Sequence, residues 1–201
     1  MSLLNKLKGL NILRITGGFL KGRQVKFTGI SHKTRPTSSL VRQAIFNTLG
    51  SKIKDSAFLD LFCGSGIMGL EALSRGAKST TFVEWDKTLC QNLKVNIDTF
   101  KVNHQTCVIN RDVLLYLKTL ISKFDVIYVD PPYKTRKILE VLNLVLRQNI
   151  LAQNGLIILE HDNSLDDFED CINQIIVNNQ EYVLHKTKKY GQTYLTYVGR
   201  N

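Results

Sequence analysis

The chain has 201 residues, of which 43% are hydrophobic and 22% charged, and this length and composition suit one globular α/β domain with a small addition. The sequence has no apolar run long enough to span a bilayer, and its first residues lack the pattern of a secretory signal, so we expect neither a membrane protein nor a secreted one. The four cysteines form no C-x-x-C pair, which argues against a zinc site or a disulfide framework and favours the reducing cytoplasm.

The positive charge is concentrated at the amino end of the chain. The net charge is +10, yet residues 51–201 hold 18 basic and 17 acidic residues and contribute only +1. Residues 1–50 hold no Asp or Glu and nine basic residues, which are Lys6, Lys8, Arg14, Lys21, Arg23, Lys26, Lys33, Arg35 and Arg42. Such a patch attracts polyanions. We therefore expect residues 1–50 to be an extension that binds nucleic acid and residues 51–201 to form the main domain.

The basic region is predicted to contain a hairpin and a helix. Residues 11–16 and 21–28 are β-prone and flank a Gly-Gly-Phe segment, which favours a two-stranded hairpin. After a loop, Thr37 or Ser38 is expected to cap a helix that ends near Leu49, because Gly50 follows. The apolar stripe predicted for this helix is Leu40, Val41, Ala44, Ile45 and Leu49, with Arg42 off the stripe.

From Ala57 onward, strand patterns alternate with helix patterns. Buried strands are predicted at residues 58–62, 80–84, 105–109, 124–129 and 155–160. Helices are predicted after the first strand to about residue 75, then at 86–100, 113–121, 136–147 and 165–177. Residues 182–186 and 193–198 are expected to close the chain as an antiparallel pair. This order predicts an α/β fold with a mostly parallel seven-stranded sheet and helices on both faces, plus the small N-terminal hairpin and helix.

The turn after the first of these strands is rich in glycine. Gly64 and Gly66 allow a ligand to approach the main chain closely, and the helix that follows offers unpaired N–H groups. With Gly69 they also match G-x-G-x-x-G, so a dinucleotide is one interpretation. Asp60 lies just before the turn, however, where a carboxylate would repel a pyrophosphate and attract an amine-bearing ligand.

Three further residues follow neighbouring strands. Glu84 ends the second strand and can bind ribose hydroxyls, and Asp112 follows the third and can accept a hydrogen bond from an adenine amino group. Trp85 is placed to stack on the adenine, although a packed aromatic residue is an equally good interpretation. S-adenosylmethionine carries an amine, a ribose and an adenine with little negative charge, so it is the cofactor that these residues predict. No metal is required.

The fourth strand ends at a stiff corner, Asp130-Pro131-Pro132-Tyr133. Proline cannot donate to a sheet ladder, and two prolines in sequence fix the backbone that follows. Ligands of open α/β sheets bind at the carboxyl ends of the strands. A carboxylate, a carbonyl and a flat ring at this position suit a flat substrate that carries an NH2 group, and an ordinary strand-ending turn is the alternative.

These residues together resemble the class I methyltransferases, in particular the RsmD-type family of 16S ribosomal RNA guanine-N2 methyltransferases. The resemblance runs from about Arg14 to Val198. Its segments are Arg14-Ile-Thr-Gly-Gly, Lys21-Gly-Arg, Arg35-Pro-Thr, Asp60-Leu-Phe-Cys-Gly-Ser-Gly, Asp130-Pro-Pro-Tyr and Lys189-Tyr-Gly-Gln-Thr. The Asp-Pro-Pro-Tyr motif is shared with many RNA and DNA N-methyltransferases. The hairpin and the Arg35-Pro-Thr helix make the resemblance specific to this family. Cys63 and Gln192 depart from the residues usual in the family, Ala and Asp.

The resemblance implies a Rossmann-like class I methyltransferase fold that transfers a methyl group from S-adenosylmethionine to the exocyclic N2 of a guanine in 16S rRNA, either naked or in the small ribosomal subunit. The implied catalytic residues are Asp130, Pro131, Pro132 and Tyr133, with Tyr133 stacking on the base. The implied cofactor residues are Asp60, Gly64, Gly66, Glu84, Trp85 and Asp112. The implied RNA contacts are Arg14, Lys21, Arg23, Arg35 and Arg42. We expect a cytoplasmic monomer.

Three other functions stay open at this point. A DNA adenine-N6 or cytosine-N4 methyltransferase uses the same motif, but it usually needs a separate target-recognition domain, for which this chain leaves little room. A non-catalytic RNA-binding assembly factor would not need the intact carboxylates at the strand ends. A dehydrogenase would bind NADH in preference to S-adenosylmethionine.

Overall fold

The computed structural model describes residues 9–29, 37–131, 137–162 and 167–200. The strands in these ranges are β1 (Asn11–Arg14), β2 (Gln24–Phe27), β3 (Ala57–Leu61), β4 (Ser79–Glu84), β5 (Thr106–Asn110), β6 (Phe124–Val129), β7 (Leu151–His161), β8 (Tyr182–Tyr190) and β9 (Thr193–Arg200). The α-helices are α1 (Ser39–Leu49), α2 (Ile67–Ser74), α3 (Lys87–Phe100), α4 (Val113–Leu117), α5 (Lys137–Arg147) and α6 (Phe168–Val177). Two short 3₁₀ segments lie at Gly50–Ile53 and Asn103–Gln105.

The main sheet has seven strands in the order β5-β4-β3-β6-β7-β9-β8. Strands β3 to β7 run parallel, and β9 is antiparallel to both β7 and β8. Leu61 of β3 pairs with Val83 on one side and Val129 on the other. From β3 the chain adds strands first on one side (β4, β5) and then on the other (β6, β7), so the order of the parallel strands switches between β3 and β6. Ligands of such folds bind at the carboxyl ends of the strands at this switch point. The predicted α/β fold with its mostly parallel sheet is confirmed.

Helices cover both faces of the sheet. Along β6, Val126 and Tyr128 pack in the hydrophobic core that contains α1, α2 and α3, while Ile127 and Val129 pack in the core that contains α4, α5 and α6. This alternation follows from the two-residue period of a strand, and a fully buried large apolar side chain stabilises the fold by about 1.5–3 kcal/mol. The part of the chain that the structure describes holds no helix with both the length and the apolar character needed to cross a membrane.

The N-terminal hairpin and helix share the first of these cores. Ile15 and Val25 of the hairpin region and Ile45 of α1 are buried against the main domain. The strands β1 and β2 pair antiparallel as predicted, although both are shorter than expected. The change at residue 50 is therefore a change in charge, and the hydrophobic core continues across it.

Helix α1 begins and ends where the sequence predicts, but its buried face differs. The Ser38 hydroxyl accepts a hydrogen bond from the Val41 N–H, and Gly50 ends the helix with φ 52°. Leu40 was expected in the apolar stripe, yet 67% of it is exposed, whereas Arg42 is 2% exposed. The prediction is wrong at both positions because a buried carboxylate, described below, lies opposite Arg42.

Some predicted boundaries also move. Strand β7 begins at Leu151 and β8 extends to Tyr190, so both are longer than expected. Helix α4 ends at Leu117, and Ile121, which was expected to belong to it, is 92% exposed. The helix expected from residue 165 begins at Phe168, and residues 163–166 lie outside the described residues.

Candidate active site

Four carboxylates lie at the carboxyl edge of the sheet, on the face that carries α1, α2 and α3. Asp60 and Glu84 share this face with the buried residues two positions before them, because side chains alternate along β3 and β4. Asp130 directly follows β6, and Glu160 is near the end of β7. The strand order β4-β3-β6-β7 places the four carboxylates on neighbouring strands, which are about 4.8 Å apart. Asp60 pairs in register with Phe82 and Tyr128, so it lies two residues before Glu84 and Asp130 along the strand direction.

Asp60 is a buried carboxylate with one unpaired oxygen. Its side chain is 1% exposed, and its Oδ2 accepts a hydrogen bond from the Gly69 N–H at 2.9 Å. Its Oδ1 has no hydrogen-bond partner among the described residues. Burial raises the pKa of Asp60 to about 7, against the effect of the Gly69 N–H and with a further contribution from the charge of Glu84. A cationic amine beside Oδ1 would supply the missing bond and favour the ionised form.

The glycine turn between β3 and α2 needs both of its glycines, for different reasons. Gly66 has φ 75°, and a Cβ there would lie 2.4 Å from Cδ1 of Leu93, so packing against α3 excludes a side chain. Gly64 has φ 53°, but a Cβ there would meet nothing closer than 4.0 Å. The main chain at Gly64 is therefore open to a ligand. Phe62 also has a positive φ, 60°, which is uncommon for a bulky residue and typical of functional turns.

The side chain of Glu84 is hydrogen-bonded to the main chain of this turn. Its Oε2 accepts a hydrogen bond from the Gly64 N–H at 2.9 Å, and its Oε1 accepts one from the Asp86 N–H at 2.9 Å. Burial raises the pKa of Glu84, and the two N–H groups oppose this effect. A carboxylate offers about four acceptor positions, so Glu84 is able to accept hydrogen bonds from hydroxyl groups of a ligand as well.

Trp85 and Asp112 lie beside this pair. Trp85 is 69% exposed, so the alternative that it is a packed core residue is wrong, and its stacking on adenine stays a prediction. Asn110 donates to the carbonyl oxygens of Glu84 and Trp85 at 3.0 and 2.8 Å and so holds this segment in place.

The two carboxylate oxygens of Asp112 have different partners. Its Oδ1 caps α4 by accepting from the N–H groups of Leu114 and Leu115 at 2.9 and 3.1 Å. Its Oδ2 lies 3.8 Å from Nζ of Lys137, whose ammonium group also lies 5.4 Å from the centre of the Phe62 ring. Only Oδ2 is therefore available to a ligand, and it shares that position with a cation.

Asp130 is half-buried and lies against α1. Thr37, which immediately precedes the α1 cap, donates from its hydroxyl to Oδ2 of Asp130 at 3.4 Å. The same hydroxyl lies 3.1 Å from the Tyr128 hydroxyl, which donates to Oε2 of Glu160 at 2.5 Å. Pro131 is buried next to Asp130, whereas Pro132 and Tyr133 lie outside the described residues.

Three of the predicted RNA contacts are exposed on the hairpin. Arg14, Lys21 and Arg23 project from it, and Arg14 donates to the Gly22 carbonyl at 3.2 Å. A groove of 620 Å³ is lined by residues of the hairpin and of α3. Its lining contains three cationic side chains and no carboxylate, and it is formed by Leu10, Arg14, Gly22, Arg23, Gln24, Lys26, Asn92, Val95, Asn96, Thr99 and Phe100. Arg35 lies outside the described residues.

Arg42 does not belong to this surface, and its prediction as an RNA contact is wrong. Its guanidinium donates to Oε2 of Glu71 at 3.0 Å and to the carbonyl oxygens of Thr37 and Arg14 at 2.7 and 2.8 Å. A side chain that is 2% exposed and has these three acceptors is not available to a phosphate.

Three residues near Asp130 were missed by the sequence analysis. Tyr128 and Asp130 are two residues apart at the end of a strand, which is a signal that they share a face. Glu160 is the only acidic residue of β7, and it also lies near a strand end. Thr37 has no such signal, because it contacts residues about 90 positions away in the chain.

Comparisons with known proteins agree with this geometry. The family model described as conserved hypothetical protein 95 matches residues 13–199. Ribosomal RNA small subunit methyltransferase D of Escherichia coli (strain K12) is 34% identical over 184 residues, which cover 92% of this chain and 88% of that protein. The protein of the same name from Haemophilus influenzae is 40% identical over 151 residues, covering 74% of this chain and 78% of that protein.

Solved structures show the same fold. A putative methyltransferase from Escherichia coli has a TM-score of 0.78 and 30% identity, with 94% of this chain and 98% of that chain covered. A putative methylase from Haemophilus influenzae has a TM-score of 0.75 and 31% identity, with 94% and 99% covered. This chain therefore belongs to the RsmD family of methyltransferases, which the conserved hypothetical protein 95 model describes.

Proposed function

We propose that this protein transfers a methyl group from S-adenosylmethionine to the exocyclic N2 of a guanine in 16S rRNA of the small ribosomal subunit. The observation that carries the proposal is the pair of carboxylates on adjacent strands at the point where the strand order reverses. Asp60 on β3 has a buried unpaired oxygen, and Asp130 directly follows β6 and precedes two prolines in the sequence. The names of the relatives, ribosomal RNA small subunit methyltransferase D, support ribosomal RNA as the substrate.

The residues of β3, β4 and their turn fit the cofactor. S-adenosylmethionine supplies a methyl group bonded to positively charged sulfur. The unpaired Oδ1 of Asp60 would accept a hydrogen bond from the amine of the cofactor, and Glu84 would accept from the ribose hydroxyls. The open main chain at Gly64 leaves room for close approach, and the exposed ring of Trp85 would cover the adenine.

The corner after β6 suits the substrate amine. The lone pair of a guanine amino group is delocalised into the ring, so the nitrogen is a weak nucleophile. Asp130 and the carbonyl of Pro131 would accept its two N–H bonds, favour a pyramidal nitrogen and direct its lone pair towards the methyl group. Good positioning supplies on the order of 7–11 kcal/mol of barrier reduction. The base must leave its stack, at a cost of roughly a few kcal/mol, and Tyr133 would then stack on it.

The basic hairpin would hold the RNA backbone. Arg14, Lys21, Arg23 and Lys26 are exposed, and three of them line the groove beside α3. Cationic side chains in a groove without carboxylates favour phosphate binding. Arg35 completes this set as a prediction from the sequence.

Methyl transfer tests the chemistry directly. Radiolabelled S-adenosylmethionine is incubated with naked 16S RNA, with 30S particles and with duplex DNA, and the labelled nucleotide is mapped. Asp130→Ala should bind the cofactor as the unchanged protein does and lose transfer by about a thousandfold or more. Asp170→Ala, which removes an exposed carboxylate from α6, is the control. Transfer to DNA alone, binding of NADH in place of S-adenosylmethionine, or full activity of Asp130→Ala would contradict the proposal.

The RNA surface has its own test. Replacing Arg14 and Arg23 by Gln should weaken 16S RNA binding and reduce the slope of log K against log salt by about one for each phosphate that the variant no longer neutralises. Lys123→Gln removes one charge before β6, at the opposite edge of the sheet, and should leave the slope unchanged. Equal slopes for the double variant and the unchanged protein would exclude these two arginines as contacts.

A further inference from the structure

Buried hydroxyl groups connect Asp130 to Glu160. The Tyr128 hydroxyl donates to Oε2 of Glu160 at 2.5 Å, Oγ1 of Thr37 lies 3.1 Å from that hydroxyl, and Thr37 donates to Oδ2 of Asp130 at 3.4 Å. Thr37, Tyr128 and Glu160 are 7%, 2% and 6% exposed. The contacts among these three residues are therefore shielded from water, whereas the contact to Asp130 is partly buried. Hydrogen bonds and charges interact more strongly in a buried environment than in water.

The middle of this chain is held from α1. Arg42 donates to the Thr37 carbonyl at 2.7 Å, and the same guanidinium is paired with buried Glu71. Ser38, the next residue, caps α1. The main chain is thus held at the Thr37 carbonyl and at the next residue, and the Thr37 hydroxyl lies between Tyr128 and Asp130.

The number of protons available to these hydrogen bonds couples the protonation of Asp130 to that of Glu160. Three contacts join Asp130, Thr37, Tyr128 and Glu160, but the two hydroxyl groups carry only two protons. With both carboxylates ionised, one contact has no proton. A proton on either Asp130 or Glu160 lets all three contacts form in one direction. Protonation at one end therefore changes the hydrogen bonding at the other.

We propose that Thr37, Tyr128 and Glu160 are positioning residues for methyl transfer, which hold the Asp130 carboxylate and couple its ionisation to that of Glu160. This inference rests on the proposed function, in which Asp130 accepts a hydrogen bond from the substrate amine, and an ionised carboxylate accepts such a bond more strongly than a protonated one.

Other charged groups near the chain are few among the described residues. Asp60 faces it from β3, where it pairs in register with Tyr128, and Arg42 faces it from α1. Lys188 of β8 is on the same face as Glu160 but two strands away, about 10 Å. Burial, and then the charges of Glu160 and Asp130, raise the pKa of Tyr128 well above its usual range. The phenol therefore stays protonated and acts as a donor.

The test compares pH–rate profiles of substituted proteins on the RNA that the unchanged protein methylates. Thr37→Val and Tyr128→Phe should each lower kcat about tenfold, the loss expected for one hydrogen bond, with the KM for S-adenosylmethionine within twofold. Thr37→Val should move the acid limb to higher pH, because it removes a donor to the carboxylate. Glu160→Gln should move the limb to lower pH, because it removes a neighbouring negative charge.

Two variants serve as controls. Thr37→Ser keeps the hydroxyl and should restore kcat and the acid limb to those of the unchanged protein. Tyr197→Phe removes another buried phenol on the same face of the sheet, outside the chain, and should change neither. Unchanged rates and limbs in Thr37→Val and Tyr128→Phe, with the unchanged protein active, would overturn the inference and leave the proposed function intact.

Thermal unfolding gives a readout that does not depend on activity. If the unchanged protein methylated no RNA, the proposed function would fail. The hydrogen-bond coupling would then be tested by the melting temperatures of Tyr128→Phe, Glu160→Gln and the double variant. Coupled residues predict a double-variant loss smaller than the sum of the single losses. Additive losses of stability would show that Tyr128 and Glu160 are not coupled and would overturn the inference.

Discussion

The two halves of the carboxyl edge hold their carboxylates in different ways. On β3 and β4, Asp60 and Glu84 accept hydrogen bonds from main-chain N–H groups of the adjoining turns and of α2. Beside β6 and on β7, Asp130 and Glu160 are joined through the hydroxyls of two side chains. The positions of main-chain donors are set by the course of the chain, whereas a hydroxyl donor is removed by a single substitution.

This difference suits the two ligands proposed for the halves. The cofactor half should tolerate substitutions around it as long as its turns keep their conformation. The substrate half should respond to conservative changes such as Tyr to Phe, because its geometry depends on individual side-chain protons. The predictions below challenge or sharpen this contrast.

The largest effect on stability is expected at the ion pair between α2, which follows the cofactor turn, and α1, which lies against Asp130. Glu71 of α2 is 0% exposed and accepts from Arg42 of α1 and from Arg75, both at 3.0 Å. Glu71→Ala leaves the buried Arg42 without its carboxylate and should lower the free energy of unfolding by about 3–5 kcal/mol in urea titrations. Glu140→Ala, an exposed glutamate of α5, should change it by no more than about 0.5 kcal/mol. Equal small losses would show that the two helices are held by other contacts.

The next effect concerns the pH dependence of stability. Burial raises the pKa of Asp60 from 3.8 to about 7. The folded state therefore favours the protonated form, and this contribution to stability is full below about pH 4 and is lost as the pH rises through 7. Compared with Asp60→Asn, the unchanged protein should lose roughly 3–4 kcal/mol of unfolding free energy between pH 4 and 7. Urea titrations across this range check it, and parallel curves for the two proteins would contradict it.

Cofactor affinity should separate the two halves. Glu84→Gln keeps the size of the side chain but removes the charged acceptor, so the affinity for S-adenosylmethionine should fall by about 1.5–3 kcal/mol in calorimetric titrations. Glu160→Gln makes the same chemical change in the other half and should alter this affinity by less than twofold. Similar losses in both variants would remove the contrast between the halves.

The smallest effect is expected from the turn. Gly64→Ala places a side chain at φ 53° without a close contact and should cost about 1 kcal/mol of stability. Gly22→Ala is matched, because its φ is 82° and a Cβ there also meets no atom within 4 Å. The two stability losses should agree, and only Gly64→Ala should weaken cofactor binding. A loss of cofactor affinity in both would point to general destabilisation.

Local patterns predicted much of the fold. The bounds of β6 agree at both ends, and α1 is capped by Ser38 and ended by Gly50 as expected, because each feature depends on neighbours in the chain. The same reasoning misplaced Arg42, which a pattern treats as a surface residue. Its burial depends on Glu71, 29 residues away, and no period of the helix encodes that partner.

The sequence by itself determined the alternation of strands and helices, the glycine turn and the end of β6 before Asp130, because each follows from the backbone preferences of adjacent residues. Tertiary structure alone decided which polar groups meet. Thr37 reaches Asp130 across 93 positions, and Asp60 keeps a buried oxygen unpaired. Such contacts form when distant segments share one core, and their strength depends on the exclusion of water, which only the assembled sheet and helices provide.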